Sequence, residues 1–150
     1  MTYHKLLGAS LFALLSLCIA SELFAQQDVI DKRQKLMKDN SAATKAIKGA
    51  VEAKDNATIE AKAKEVGANA DKIVEAFPKG STKGKTKATD AIWEKSDDFS
   101  KNAKNLKKAA SELADAAKSG DAAAVDVKVK ALGDTCGGCH KAFRAEKYSE

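Results

Sequence analysis

Residues 121–144 read DAAAVDVKVKALGDTCGGCHKAFR. On a helix through this stretch, Val125, Val129, Leu132, Cys136, Cys139, His140 and Phe143 fall on one face, so the reactive residues point where the core residues point. Asp121 is a suitable N-cap after the stop signal Ser119-Gly120. A helix with thiols and an imidazole inside its apolar stripe needs partner helices to cover them.

Those partners are found by moving outward. Phe99, Leu106, Ala110, Leu113 and Ala117 keep the helical period between Ser96 and Ser119. Ahead of them, after the short apolar turn at Trp93, residues 78–90 (PKGSTKGKTKATD) have the proline, glycine and lysine content of a solvated crossover loop. Ile59, Val66, Ile73, Val74 and Phe77 mark a second helix, started at Asp55-Asn56 and ended near Phe77 by Pro78. Val29, Ile30, Leu36, Met37, Ile47 and Val51 mark the first, over roughly residues 28–53. Aromatic residues make up 5% of the chain and there is a single proline, which leaves little material for a sheet. The fold expected is all-α, an antiparallel four-helix bundle in one domain over residues 26–150, with space in its core for a cofactor between facing helices.

Residues 1–25 read as a signal peptide. Lys5 precedes an apolar run from Leu6 to Ala20, too short to span a bilayer comfortably as a stable anchor, and Ala25 offers a small residue for cleavage before Gln26. Removing them deletes Met1, His4 and Cys18, leaving two cysteines, one histidine and one methionine. Lys5 and Glu22 cancel, so the formal charge stays at +5.

Cys136-Gly137-Gly138-Cys139-His140 matches the Cys-x-x-Cys-His pattern for covalent haem attachment. Two thiols three residues apart reach the two vinyl groups along one edge of the macrocycle, and the next residue brings its imidazole to the iron. A thioredoxin-like dithiol needs a βαβ setting that this sequence lacks. A structural zinc site needs a fourth donor beyond the two cysteines and His140. A haem peroxidase needs distal acid/base groups, and no second histidine remains to provide one.

Together with Arg33-Gln34-Lys35-Leu36-Met37 on the first helix, Ala91-Ile92-Trp93 ahead of the third and Ala142-Phe143-Arg144 after the motif, this segment resembles the class II cytochromes c, the cytochrome c′ superfamily. The resemblance covers essentially all of residues 26–150. It implies one haem c, covalently held by Cys136 and Cys139 inside the bundle, with His140 as axial iron ligand. It further implies that the first helix crosses the distal side, that Arg33 contacts a propionate and that Arg144 flanks the proximal side. By count, the sixth iron position belongs to Met37 or stays open. The stretch Gln26–Asn40 looks most like the low-spin cytochrome c-556 type, in which the corresponding methionine binds iron, implying a periplasmic electron carrier with His140/Met37 ligation. The alternative is a five-coordinate protein that binds nitric oxide or carbon monoxide. Related bundles include monomers and homodimers.

The lysines of the 79–87 loop and Lys101, Lys104, Lys107 and Lys108 suit redox partner proteins with acidic surfaces, and nothing in the pattern suggests a nucleic-acid partner. The mature protein is expected to start at Gln26, which an intact mass equal to residues 26–150 plus one haem will verify; a mass retaining residues 1–25 refutes the leader.

Overall fold

In a computed structural model of the chain, residues 3–82 and 84–147 are described, those of positions 3–25 by their backbone alone. The elements are α1 (Tyr3–Ala53), α2 (Asn56–Ala70), a single turn α3 (Ala91–Glu94), α4 (Ser96–Ser119) and α5 (Ala122–Phe143). Helix α1 begins well before the expected Asp28. The apolar run Leu6–Ala20 contains no proline, so nothing in it interrupts helical backbone. The side chains of the expected leader, Cys18 and His4 among them, lie outside the described residues.

Three interfaces build the bundle. Helices α1 and α2 are joined by Lys54-Asp55 and held farther along by Asn69 Nδ2 donating to Asn40 Oδ1 at 3.1 Å. Helices α2 and α4 run antiparallel: Asn56 lies beside Gly120 at one end, Gly67 beside Ala110 in the middle, and Asp71 pairs with Lys107 (2.8 Å) at the other. Helices α4 and α5 turn through Gly120, at φ 76°, and Asp121, and are clamped by Lys128 to Glu112 at 2.7 Å. Buried positions recur at alternating steps of four and three: Ile59, Ala63, Val66, Ala70 and Ile73 along α2 and beyond it, then Phe99, Ala103, Leu106, Ala110, Leu113 and Ala117 on α4. The same alternation on α5 gives Val125, Val129, Leu132, Cys136, Cys139 and Phe143, all within or against the core. That spacing is the repeat of helices wound gently about one another. The two cysteines occupy core positions of it.

The fourth interface differs. Helices α1 and α5 touch little along their length, and a cavity lies between them.

Two boundaries depart from expectation. Helix α2 ends at Ala70 rather than near Phe77, and residues 71–77 continue as tighter turns, with Ile73 N–H donating to Ala70 O, Ala76 N–H to Ile73 O and Phe77 N–H to Val74 O. Pro78 disfavours α backbone at the residue before it, and three-residue hydrogen bonding carries the chain into the loop instead. The 78–90 crossover is also less solvated than its composition suggests, since Ser81 and Thr86 are 4% and 3% exposed.

Leu113 is fully buried at the centre of α4, so Leu113→Ala should cost about 2–5 kcal/mol in denaturant unfolding. Asp121→Ala, which removes the cap on Ala124 N–H (3.0 Å), should cost about 1 kcal/mol.

Candidate haem site

The cavity between α1 and α5 has a volume of about 720 Å³ and is walled by Val66, Ile73, Phe77, Ile92, Phe99, Leu106 and Phe143. Phe99 is the hinge of this wall, meeting Phe77 and Phe143 edge-on with ring centroids 5.2 Å apart in each case. Cys136, Cys139 and His140 enter from α5, Met37 and Arg33 from α1, and Arg144 from the residue after α5. All six residues singled out in the sequence therefore line one space.

The two cysteines are free thiols, half-buried on the α5 seam. Burial pushes both thiol pKa values up, and at Cys139 the neighbouring Cys136 adds to the effect, so both stay protonated at neutral pH. His140 is exposed where α5 borders the cavity. Desolvation, and then the charge of Arg144, push its imidazole pKa down, favouring the neutral ring that can bind a metal. Gly137 and Gly138 face open space, so no side chain crowds the segment between the thiols.

Arg33 is 2% exposed and among the described residues has no carboxylate against it. Its Nη1 donates to Ser81 Oγ (2.6 Å), and its Nη2 donates to the Ser81 carbonyl (2.6 Å) and Thr86 Oγ1 (2.8 Å). The guanidinium also stacks over the Phe77 ring at 4.9 Å. Burial lowers its pKa, though a guanidinium keeps its proton throughout the accessible pH range. Gln26 Nε2 to Gly80 O (2.6 Å) and Gln34 Nε2 to Lys85 O (2.7 Å) extend the same seam. On the other side the loop bonds to the end of α5: Ala88 bridges Arg144, Thr89 N–H donates to Phe143 O (3.2 Å), and Ala145 N–H donates to Lys87 O (2.8 Å). The crossover is thus a strap across the two helices that fail to pack directly.

Arg144 caps α5 in extended backbone (φ −123°, ψ 126°), one residue beyond the helix, with its side chain exposed. The bridge to Ala88 takes the chain out of the helix one residue after Phe143. Ser81 and Thr86 were missed by sequence reasoning. Their signal was weak, two hydroxyls in a lysine-rich loop.

The donor set decides what could fill the cavity. Among the described residues no group of three His, Cys, Asp or Glu side chains converges as a bare ion would need. An apolar chamber within the range of ligand pockets, carrying two thiols, an imidazole and a thioether, instead fits a planar macrocycle held by its edge and its iron.

Residues 28–144 match the cytochrome c′ family. The chain belongs to that family. Its cofactor is one covalently attached haem c, and Cys136 and Cys139 have the attachment spacing. Cytochrome c′ of Rhodospirillum rubrum is 42% identical over 85 residues, 56% of this chain and 58% of that protein; the chain thus matches little more than half the length of that relative. Cytochrome c-556 of Agrobacterium tumefaciens (strain B2A) is 35% identical over 121 residues, covering 79% of this chain and 98% of that protein. Among solved structures, cytochrome c′ from Thermochromatium tepidum superposes with a TM-score of 0.74 at 28% identity, covering 81% of this chain and 97% of its own. As a cytochrome c′ family member the chain is a c-type haem protein with a four-helix bundle, and among its described residues no helix is long and apolar enough to cross a membrane.

Replacing Arg33 by Met keeps the apolar stem but removes every bond to Ser81 and Thr86. Amides of the strap, such as those of Ala88 and Thr86, should then exchange at least about tenfold faster in native-state hydrogen exchange, the equivalent of about 1.4 kcal/mol, while α4 amides keep their protection.

Proposed function

We propose that this cytochrome is a periplasmic electron carrier in which Cys136 and Cys139 would hold the haem and His140 and Met37 would be the ligands of its iron. The observation that carries this reading is that Met37, the single methionine outside the leader, and His140, the single histidine outside it, line the same cavity from α1 and α5. The near full-length match to cytochrome c-556 supports the same choice.

When bound, the haem supplies one-electron chemistry at its iron. The chain's contribution is to fix the ligands and exclude water. Cys136 and Cys139 would hold the haem through their sulfurs, which burial keeps as neutral thiols until then. His140 offers a neutral nitrogen. Met37 offers an uncharged thioether, which stabilises ferrous iron and raises the reduction potential. Both side chains stand on packed helices, so the positions from which they would bind are held by the bundle. Arg33 stands at the cavity wall with its guanidinium already held by the strap, a fixed positive charge that suits a propionate; Arg144 flanks the imidazole. The leader at residues 1–25 carries the chain to the periplasm.

Electronic absorption spectra of the oxidised and reduced holoprotein test the ligation. The wild type should be low-spin with a methionine-to-iron charge-transfer band, and Met37→Ala should lose that band, become high-spin and fall in reduction potential. The identity to proteins named cytochrome c′ supports a second reading, an open sixth position that binds nitric oxide or carbon monoxide. A high-spin wild type that Met37→Ala leaves unchanged, and that takes up carbon monoxide when ferrous, establishes that reading instead.

A further inference from the structure

Among the described residues, the side chains that line the haem cavity include six cations, Arg33, Lys38, Lys45, Lys48, Lys87 and Arg144, and no carboxylate, in a chain with 21 acidic residues. Such a separation of sign is not a by-product of composition. Elsewhere on the bundle several lysines are neutralised where they stand, Lys35 by Asp39, Lys62 by Glu65, Lys107 by Asp71, Lys128 by Glu112 and Lys130 by Asp134, each at 2.7 or 2.8 Å, while others such as Lys101 and Lys104 form no ion pair among the described residues but lie away from the cavity. Lys38, Lys45 and Lys48 form no such pair among the described residues and are exposed. Spaced seven and three apart, they make one stripe about 15 Å long on α1, along the edge of the cavity. Asp39, the acid closest in sequence to Lys38, is tied back to Lys35.

We infer that the α1 lysine stripe Lys38, Lys45 and Lys48, at the mouth of the haem cavity, is where an acidic redox protein docks. The inference rests on the electron-carrier reading and names the surface that reading needs. It moves that surface away from Lys101, Lys104, Lys107 and Lys108, none of which lines the cavity and two of which are paired with Asp71 and Glu112. An unpaired cation stripe beside the redox centre does two things at once. It raises the encounter rate with a partner bearing carboxylates, and it orients that partner so that its own centre faces the cavity instead of the back of the bundle. Uncharged Gln34, Ser41 and Thr44 accompany the lysines along the rim, so an acidic surface meets no opposing carboxylate there.

Stopped-flow reduction of the ferric holoprotein by flavodoxin hydroquinone tests this, because flavodoxin is an acidic one-electron donor. One electron leaves the anionic flavin hydroquinone, which becomes the neutral semiquinone without releasing a proton, and is accepted at the ferric iron. Two triple variants with the same charge change are compared: K38E/K45E/K48E on the stripe and K101E/K104E/K108E on α4. At low ionic strength the stripe variant should react at least about tenfold more slowly than wild type and the α4 variant within about twofold of it, with the difference shrinking as salt is added. Absorption spectra, haem content and reduction by an uncharged small reductant should be the same for all three proteins. Equal rates for the two variants, or a larger loss in the α4 variant, overturn the assignment of the surface. A changed spectrum or haem content in the stripe variant also overturns it, showing the lysines to be haem contacts. If the electron-carrier reading itself fails, the wild type reacts slowly with flavodoxin and with the uncharged reductant alike.

Discussion

Everything in this bundle follows from the separation of α1 from α5. Three of the four neighbouring helix pairs pack through small and branched residues at close spacing, and the fourth pair is held apart around an apolar chamber. Such a chamber is costly in a protein of this size, because wall residues such as Phe77, Phe99 and Leu106 give up contacts they would make in a closed core. The arrangement is tolerable where a large apolar group takes up those contacts. The family to which the chain belongs supplies one in haem c.

Holding two helices apart without letting them splay requires a tie, and the 78–90 strap is that tie. Its hydrogen bonds reach Gln26, Arg33 and Gln34 on α1 and the Phe143–Ala145 segment at the end of α5. A buried arginine without a carboxylate is an unusual anchor, since desolvation works against it. Here three neutral oxygens and an aromatic face share the charge, and no buried side-chain polar atom among the described residues is left without a partner. The same cation then contributes to a positive field over the cavity. One residue serves both architecture and electrostatics.

The bundle and its reactive face were legible from periodicity because each helix buries a single stripe, and the α5 stripe carried its cysteines in step with valine and leucine. Met37 and His140 stood out by count, each being alone of its kind among residues 26–150, and the cavity gathers both. Other features were not legible. The end of α2 at Ala70 depends on how hydrogen bonding shortens ahead of Pro78, which apolar spacing does not register. The burial of Ser81 and Thr86 depends on a guanidinium about fifty positions away, and such non-local satisfaction leaves no local pattern. Arg144 leaves the helix because of a backbone bridge to Ala88, again a contact between distant segments. Lys35–Asp39 and Lys130–Asp134 sit at helical spacing, whereas the pairs of Lys107 with Asp71 and Lys128 with Glu112 join distant segments and needed the fold.

The half-burial of Cys136 and Cys139 bears on the order of events as the protein matures. A neighbouring pair of thiols in an oxidising medium is open to capture as a disulfide, and that reaction begins from thiolate. Once α5 has packed on α4, burial holds both sulfurs in the protonated state and on a helical backbone at positions that belong to the core. Packing of α5 on α4 therefore disfavours the thiolate from which that oxidation begins and leaves both sulfurs beside the cavity.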